Sequence, residues 1–165
     1  MIKDVFTQPQ IDFINQLILD NYDKLDNQYA ERGREDIVLT PNGTAAFENL
    51  NPIAKEICDR VLSYFDEGKY INAITYGEYT NKHTNPNLPP HKDPIHTKNG
   101  LTFDYLLDSN VDWPICLEGD CVSLEKNSAI SFSPCEQYHH RPEMIFNDGD
   151  YVKVLFFMLR SNNDI

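Results

Sequence analysis

The chain contains no apolar run approaching the ~20 residues that cross a bilayer. It opens Met1-Ile2-Lys3-Asp4 with no apolar signal region. Both absences point to a cytoplasmic protein with no membrane partner. Basic residues are scarce: 14 Lys and Arg stand against 26 Asp and Glu, for a net charge of −12. The acidic residues are scattered, so they read as a solvated surface, and without clustered cations the balance argues against duplex nucleic acid as the main partner. No two of the four cysteines, Cys58, Cys116, Cys121 and Cys135, form a Cys-x-x-Cys pair. That spacing does not suggest a zinc site and predicts four free thiols in a reducing cytosol. Internal repeats, linkers and low-complexity stretches are missing too. What remains is one domain over 1–165, long enough to bury its own core.

Two helices are predicted early. Ile11, Phe13, Ile14, Leu17, Ile18 and Tyr22 recur at helical spacing behind Pro9, which predicts a helix over 10–25. Ile53, Ile57, Val61, Leu62 and Phe65 form a second stripe over 52–65, with Asn51 as cap and Pro52 in the first turn. Between them 26–48 is polar and reads as loop, with an extended piece at 37–39. After Gly68 the segments 70–79, 101–107, 115–124, 129–133 and 151–159 read as strands, being short, aromatic or β-branched, and separated by Gly, Asn, Asp or Pro. The stretch 81–90 reads as a long loop. Helices followed by strands predict an α+β chain: a double-stranded β-helix (jelly roll, cupin-like) over 69–160, with N-terminal helices over 1–68 packed on one sheet as support.

The chemistry concentrates in Pro89-Pro90-His91-Lys92-Asp93 and Tyr138-His139-His140-Arg141. A His-x-Asp pair and a distant histidine form the ligand set of a two-histidine, one-carboxylate Fe(II) site, with open positions for substrate and dioxygen. On an extended strand His91 and Asp93 share a face while Lys92 points away. Of the adjacent His139 and His140, only one can face the same ion. His83 and His96 sit in polar loops and read as solvated.

These residues, with Leu101-Thr102-Phe103-Asp104-Tyr105, Trp113-Pro114-Ile115, Asn127-Ser128-Ala129-Ile130-Ser131-Phe132 and the apolar strand from Val152 to Leu159, resemble the Fe(II)- and 2-oxoglutarate-dependent oxygenase superfamily, in particular its small hydroxylase-like members. The resemblance spans roughly 71–159. It implies that His91, Asp93 and His139 bind Fe(II), with His140 at a position where relatives carry an aromatic residue. It also implies 2-oxoglutarate as cosubstrate and hydroxylation of a small molecule or a peptide side chain, with release of succinate and carbon dioxide. The alternative is a cupin-like domain that binds a metal or ligand without turnover.

The resemblance further demands a cation for the far carboxylate of 2-oxoglutarate. Arg141, two residues past His139, is one candidate. Lys153, which interrupts a strand apolar on both faces, is the other. A small margin favours Arg141. Tyr76 is a candidate hydroxyl contact to the cosubstrate. Trp113 reads as core. Substrate selectivity is expected from the loops 81–90, 94–100 and 134–138; the sequence is silent on substrate identity and on oligomeric state.

Overall fold

The computed structural model describes residues 1–94 and 99–162. Its first helix, α1 (Gln8–Asp20), begins where the sequence supplies a reciprocal cap. The Thr7 side chain accepts from the Gln10 backbone N–H, and the Gln10 side chain accepts from that of Thr7. It stops short of 25 because the Asn21 side chain donates to the Leu17 carbonyl and Tyr22–Lys24 tightens into a single 3₁₀ turn. The segment predicted mostly as loop holds a 3₁₀ turn (Ala30–Arg32), the strand β1 (Arg34–Val38), which overlaps the extended piece expected over 37–39, and the short helix α2 (Thr44–Glu48). The third helix, α3 (Pro52–Leu62), starts with the Asn51 side chain accepting from the Ile53 N–H.

The strands are β2 (Lys69–Tyr79), β3 (Leu88–His91), β4 (Leu101–Ser109), β5 (Ile115–Leu117), β6 (Asp120–Val122), β7 (Ser128–Phe132), β8 (His139–Arg141) and β9 (Val152–Ser161). They form two antiparallel sheets, the major in the order β1-β2-β9-β4-β7 and the minor in the order β3-β8-β5-β6. This is the expected double-stranded β-helix. Alternation along the strands sorts residues between the two faces of the major sheet. Ile74 and Tyr76 of β2, Phe103 and Tyr105 of β4, and Leu155, Phe157 and Leu159 of β9 pack in one cluster with Ile14 and Ile18 of α1 and Ile57 and Val61 of α3. Tyr79, Leu106, Val152 and Val154 turn the other way and pack with Trp113 and Phe146. The helices therefore cover one face, and the minor sheet stands over the other. Among the described residues, no helix is long and apolar enough to cross a membrane.

Three expectations need correction. The sheet does not begin after 68, because β1 pairs along β2 from Arg34↔Tyr79 to Val38↔Thr75. The single strand expected over 115–124 is a hairpin, reversed at Glu118 and Gly119 with φ of 49° and 86°, the left-handed pair that a two-residue turn requires. That turn sets Cys116 opposite Cys121, and the two are joined in a disulfide, while Cys58 and Cys135 are free. The four-thiol expectation fails because a turn, and not a cysteine motif, creates the pair. It also removes two cysteines from the argument for a reducing cytosol.

Candidate metal centre

The β3–β8 ladder pairs His91 directly with His139, so both side chains project from the same face of the minor sheet. β3 ends at His91, and Asp93 lies just beyond, where its backbone N–H donates to the Pro134 carbonyl at 2.8 Å. The His-x-Asp pair thus straddles a strand end and does not sit on one strand as expected. The Asp93 Oδ1 lies 3.5 Å from the His91 Nε2 and 3.4 Å from the His139 Nε2. One ligand atom from each of the three residues falls within 4.8 Å of the others.

Each imidazole is oriented from behind. The Nδ1 of His91 is 2.8 Å from the Pro89 carbonyl, and that of His139 is 3.1 Å from the Gln137 carbonyl. A carbonyl only accepts, so Nδ1 carries the hydrogen and Nε2 is turned toward Asp93. This is how metal-binding histidines are commonly held. Ligands ~2.0–2.2 Å from one ion lie roughly 3–3.5 Å from each other, so the observed separations fit a shared cation.

The electrostatics agree. Burial alone would raise the Asp93 carboxyl, but the hydrogen bonds from His139 and His91 hold it well below the ordinary carboxylate range. The hydrogen bond to Asp93 pushes His91 upward, against the lowering effect of burial. A cation held between the rings and Asp93 would favour the ionised carboxylate in the same way. His140, the next residue on β8, takes no part in this cluster, and its Cα partner is Cys116. His83 lies elsewhere, its Nε2 3.6 Å from the Glu35 Oε1. His96 falls outside the described residues, as does most of the loop 94–100.

The three residues stand at a cavity of about 680 Å³ between the sheets. Arg141, two along from His139, lines it and is buried. Its Nη1 donates to the Trp113 carbonyl at 2.6 Å, and its Nη2 lies 3.7 Å from the Asp104 Oδ2. Lys153 is placed differently. It shares a face of β9 with Leu155 and Phe157, toward the helices, and its Nζ lies over the Tyr151 ring at 4.8 Å. Tyr76 is also on the helix side, buried, its hydroxyl donating to the Glu78 Oε2 at 2.6 Å. Neither lines the cavity. Strand parity sets Lys153 and Tyr76 apart from the triad: each is one residue out of phase with the cavity-facing side of its strand.

The cavity also uses residues that sequence reading passed over. Arg34 of β1 lines it, gripping Asp36 through Nε at 2.8 Å and Nη2 at 3.2 Å while its Nη1 donates to the Tyr79 hydroxyl at 3.2 Å. Asp104 lines it too. Its Oδ1 has no hydrogen-bond partner among the described residues, and burial raises its carboxyl despite the opposing charges of Arg141, Arg34 and His139. Trp113 is buried as expected, but it also seats Arg141: its carbonyl accepts from the guanidinium, and its ring lies beneath it at 5.1 Å. An aspartate inside the apolar run of β4 was the one available signal for Asp104. For Arg34 there was none, since it stands in a segment that read as loop.

No protein-family model and no curated protein matches the chain. Solved structures do. A prolyl-4-hydroxylase from Pseudomonas putida superposes with a TM-score of 0.64 at 11% identity, over 96% of this chain and 90% of that one. A prolyl hydroxylase from Trichoplax adhaerens, in complex with a peptide fragment of the hypoxia inducible factor oxygen degradation domain, gives 0.63 at 13% identity over 99% and 83%. The viral collagen prolyl hydroxylase of Paramecium bursaria Chlorella virus-1, as a 2OG complex, gives 0.52 at 9% identity over 97% and 93%. The chain is similar to these proteins in fold, over nearly its whole length.

Proposed function

We propose that this chain is an Fe(II)- and 2-oxoglutarate-dependent oxygenase that hydroxylates a small molecule or a peptide side chain. The observation that carries the reading is the convergence of His91, Asp93 and His139 at a cavity that also holds the buried Arg141. In this reading the three residues hold the iron from one side and leave the cavity side to ligands. The bound iron and cosubstrate supply dioxygen activation coupled to release of succinate and carbon dioxide.

The chain's own contribution is placement. Pro89 and Gln137 carbonyls fix the ring orientations. Arg141 offers a guanidinium, seated on Trp113, to the far carboxylate of the cosubstrate. Asp104, its carboxyl raised by burial, can hold a proton beside that carboxylate instead of repelling it. Leu88, Ile115 and Phe132 line the cavity with apolar surface that excludes water. The proposed peptide option draws support from the peptide bound to the similar Trichoplax hydroxylase. The reading keeps the protein in the cytoplasm, where ferrous iron is available.

One observation favours the second reading, a cupin-like binding domain without turnover. Arg141 already has an acidic partner 3.7 Å away in Asp104, which can balance its charge by ionising, so the cavity does not require an anionic ligand. Anaerobic loading with Fe(II) and 2-oxoglutarate, followed by dioxygen, separates the two. Oxygen-dependent succinate formation, even uncoupled from any substrate, supports the oxygenase. Iron binding with no 2-oxoglutarate binding would end that reading. A screen of amino acid and peptide pools, read by product mass, then addresses the substrate.

A further inference from the structure

We propose that Cys116, Cys121 and His140 form a second metal site, for a thiophilic cation such as Zn²⁺, which opens when the Cys116–Cys121 disulfide is reduced. It is independent of the oxygenase reading. The three residues come from three neighbouring strands. Cys116 of β5 is the Cα partner of both Cys121 on β6 and His140 on β8. Cross-strand partners share a face, so two sulfurs and an imidazole project together, and their ligand atoms lie within 4.8 Å of one another. On the reverse of the same strands Leu117 is opposite His139. The two ligand sets therefore occupy opposite faces of the minor sheet, back to back on β8.

A purely structural crosslink explains this arrangement poorly. A disulfide stabilises mostly by closing a long loop in the unfolded chain, and the effect is smallest for short ones. Here the separation is five residues, and the reversal is already fixed by the turn at Glu118 and Gly119. A staple also has no use for an imidazole beside it. Two cysteines and one histidine are a recurrent zinc donor set, with the fourth position left to water or a ligand. Cys116 is buried and His140 half-buried, while Cys121 on the edge strand is exposed. The exposed sulfur gives both a reductant and an ion a way in.

The chemistry balances simply. A dithiol reductant passes two electrons and two protons to the disulfide, breaking the S–S bond and leaving two thiols, while the reductant becomes a disulfide. A divalent cation then binds both sulfurs as thiolates and His140 through a ring nitrogen, and the two thiol protons go to solvent. Oxidation reverses the sequence and expels the ion.

Co²⁺ is the probe, since thiolate ligation gives it an intense ligand-to-metal charge-transfer absorption that histidine and carboxylate ligands do not. Full-length protein, reduced and kept anaerobic, is titrated with Co²⁺. The expected result is a thiolate band that saturates at one equivalent in Asp93→Ala and by two in the parent, and is bleached by Zn²⁺, which binds such sites more tightly. Protein left oxidised should show no band. Asp93→Ala, which disables the other ligand set, should leave the band in place. Cys121→Ser should abolish it, and His140→Ala should weaken Co²⁺ binding at the thiolates at least about ten-fold. Reduced protein with no thiolate band, or a band indifferent to His140→Ala, would overturn the proposal and leave the disulfide as a crosslink only. Should Cys121→Ser fail to fold, the comparison of oxidised and reduced parent protein carries the test.

Discussion

His91 and His139 are direct partners across the β3–β8 ladder, with ring centroids 4.2 Å apart. Residues far apart in the chain are thereby held at the reach of a single ion, the backbone register setting their spacing and the Pro89 and Gln137 carbonyls their ring orientation. Asp93 completes the set from outside the ladder.

Asp93 is the only anionic member of the group, so its loss should be the most damaging. Asp93→Ala is expected to lower Fe(II) affinity by more than the ~10–100-fold typical of removing a partner behind a ligand. Anaerobic calorimetry with Fe(II), or with Mn²⁺ as a stable substitute, checks this. An affinity within a few-fold of the parent would remove Asp93 from the ligand set.

The adjacent histidines should separate cleanly. His139→Ala is expected to abolish iron binding at this centre and any succinate formation. His140→Ala should leave iron at His91 and Asp93 largely intact, because its side chain projects from the other face of β8. The reverse outcome would mean that the strand register in solution is offset by one residue.

The cosubstrate cation is testable by contrast. Arg141→Ala should raise the 2-oxoglutarate dissociation constant by roughly ten-fold or more, the equivalent of losing a charge-assisted hydrogen bond of ~1.5–3 kcal/mol. Lys153→Ala should bind it as the parent does, since that side chain is on the helix side of the sheet. Equal affinity in both variants, measured anaerobically with Fe(II), would dismiss Arg141 from the role.

The protonation of the centre gives a pH signature. His91 is raised above its ordinary 6.5, so its stabilising interaction is fully present below 6.5 and lost as pH rises through its folded value. Asp93 is lowered below its ordinary 3.8, so its interaction is present above 3.8 and lost as pH falls below that. In metal-free protein the gap in melting temperature between parent and His91→Ala should therefore be widest between those values and shrink on either side. Metal affinity should run the other way, rising up to about ten-fold per pH unit as His91 is stripped of its proton. A melting-temperature gap that is flat with pH would show that His91 and Asp93 do not interact.

Helices, strands and the grouping of His91, Asp93 and His139 were legible because each has a local signature: apolar period, cap residues, and the His-x-Asp spacing before a late histidine. What was not legible depends on parity and pairing. Tyr76 and Lys153 sit on strands that were recognised, but which face each one took depended on a register that only the assembled sheet defines; a shift of one residue reverses it. Cys116 and Cys121 meet through a turn inside a segment that read as one continuous strand. Arg34 and Asp104 reach the cavity from an edge strand and from the interior of β4, and no short-range pattern in the chain connects them to His139.

β1 has a consequence for how the chain could be shortened or recombined. The three metal-ligand candidates all lie after residue 69, so the C-terminal portion looks self-sufficient on paper. Yet Arg34 forms part of the cavity wall, its guanidinium stacked 4.3 Å over the Tyr29 ring, and Ile2 bridges to Ala129 on the far edge strand. A fragment beginning at Lys69 would keep every candidate ligand but leave β2 as a bare sheet edge, open to pairing with other chains. The stretch before Lys69 is thus a wall of the cavity as much as a buttress behind it, and the two parts must be inherited together.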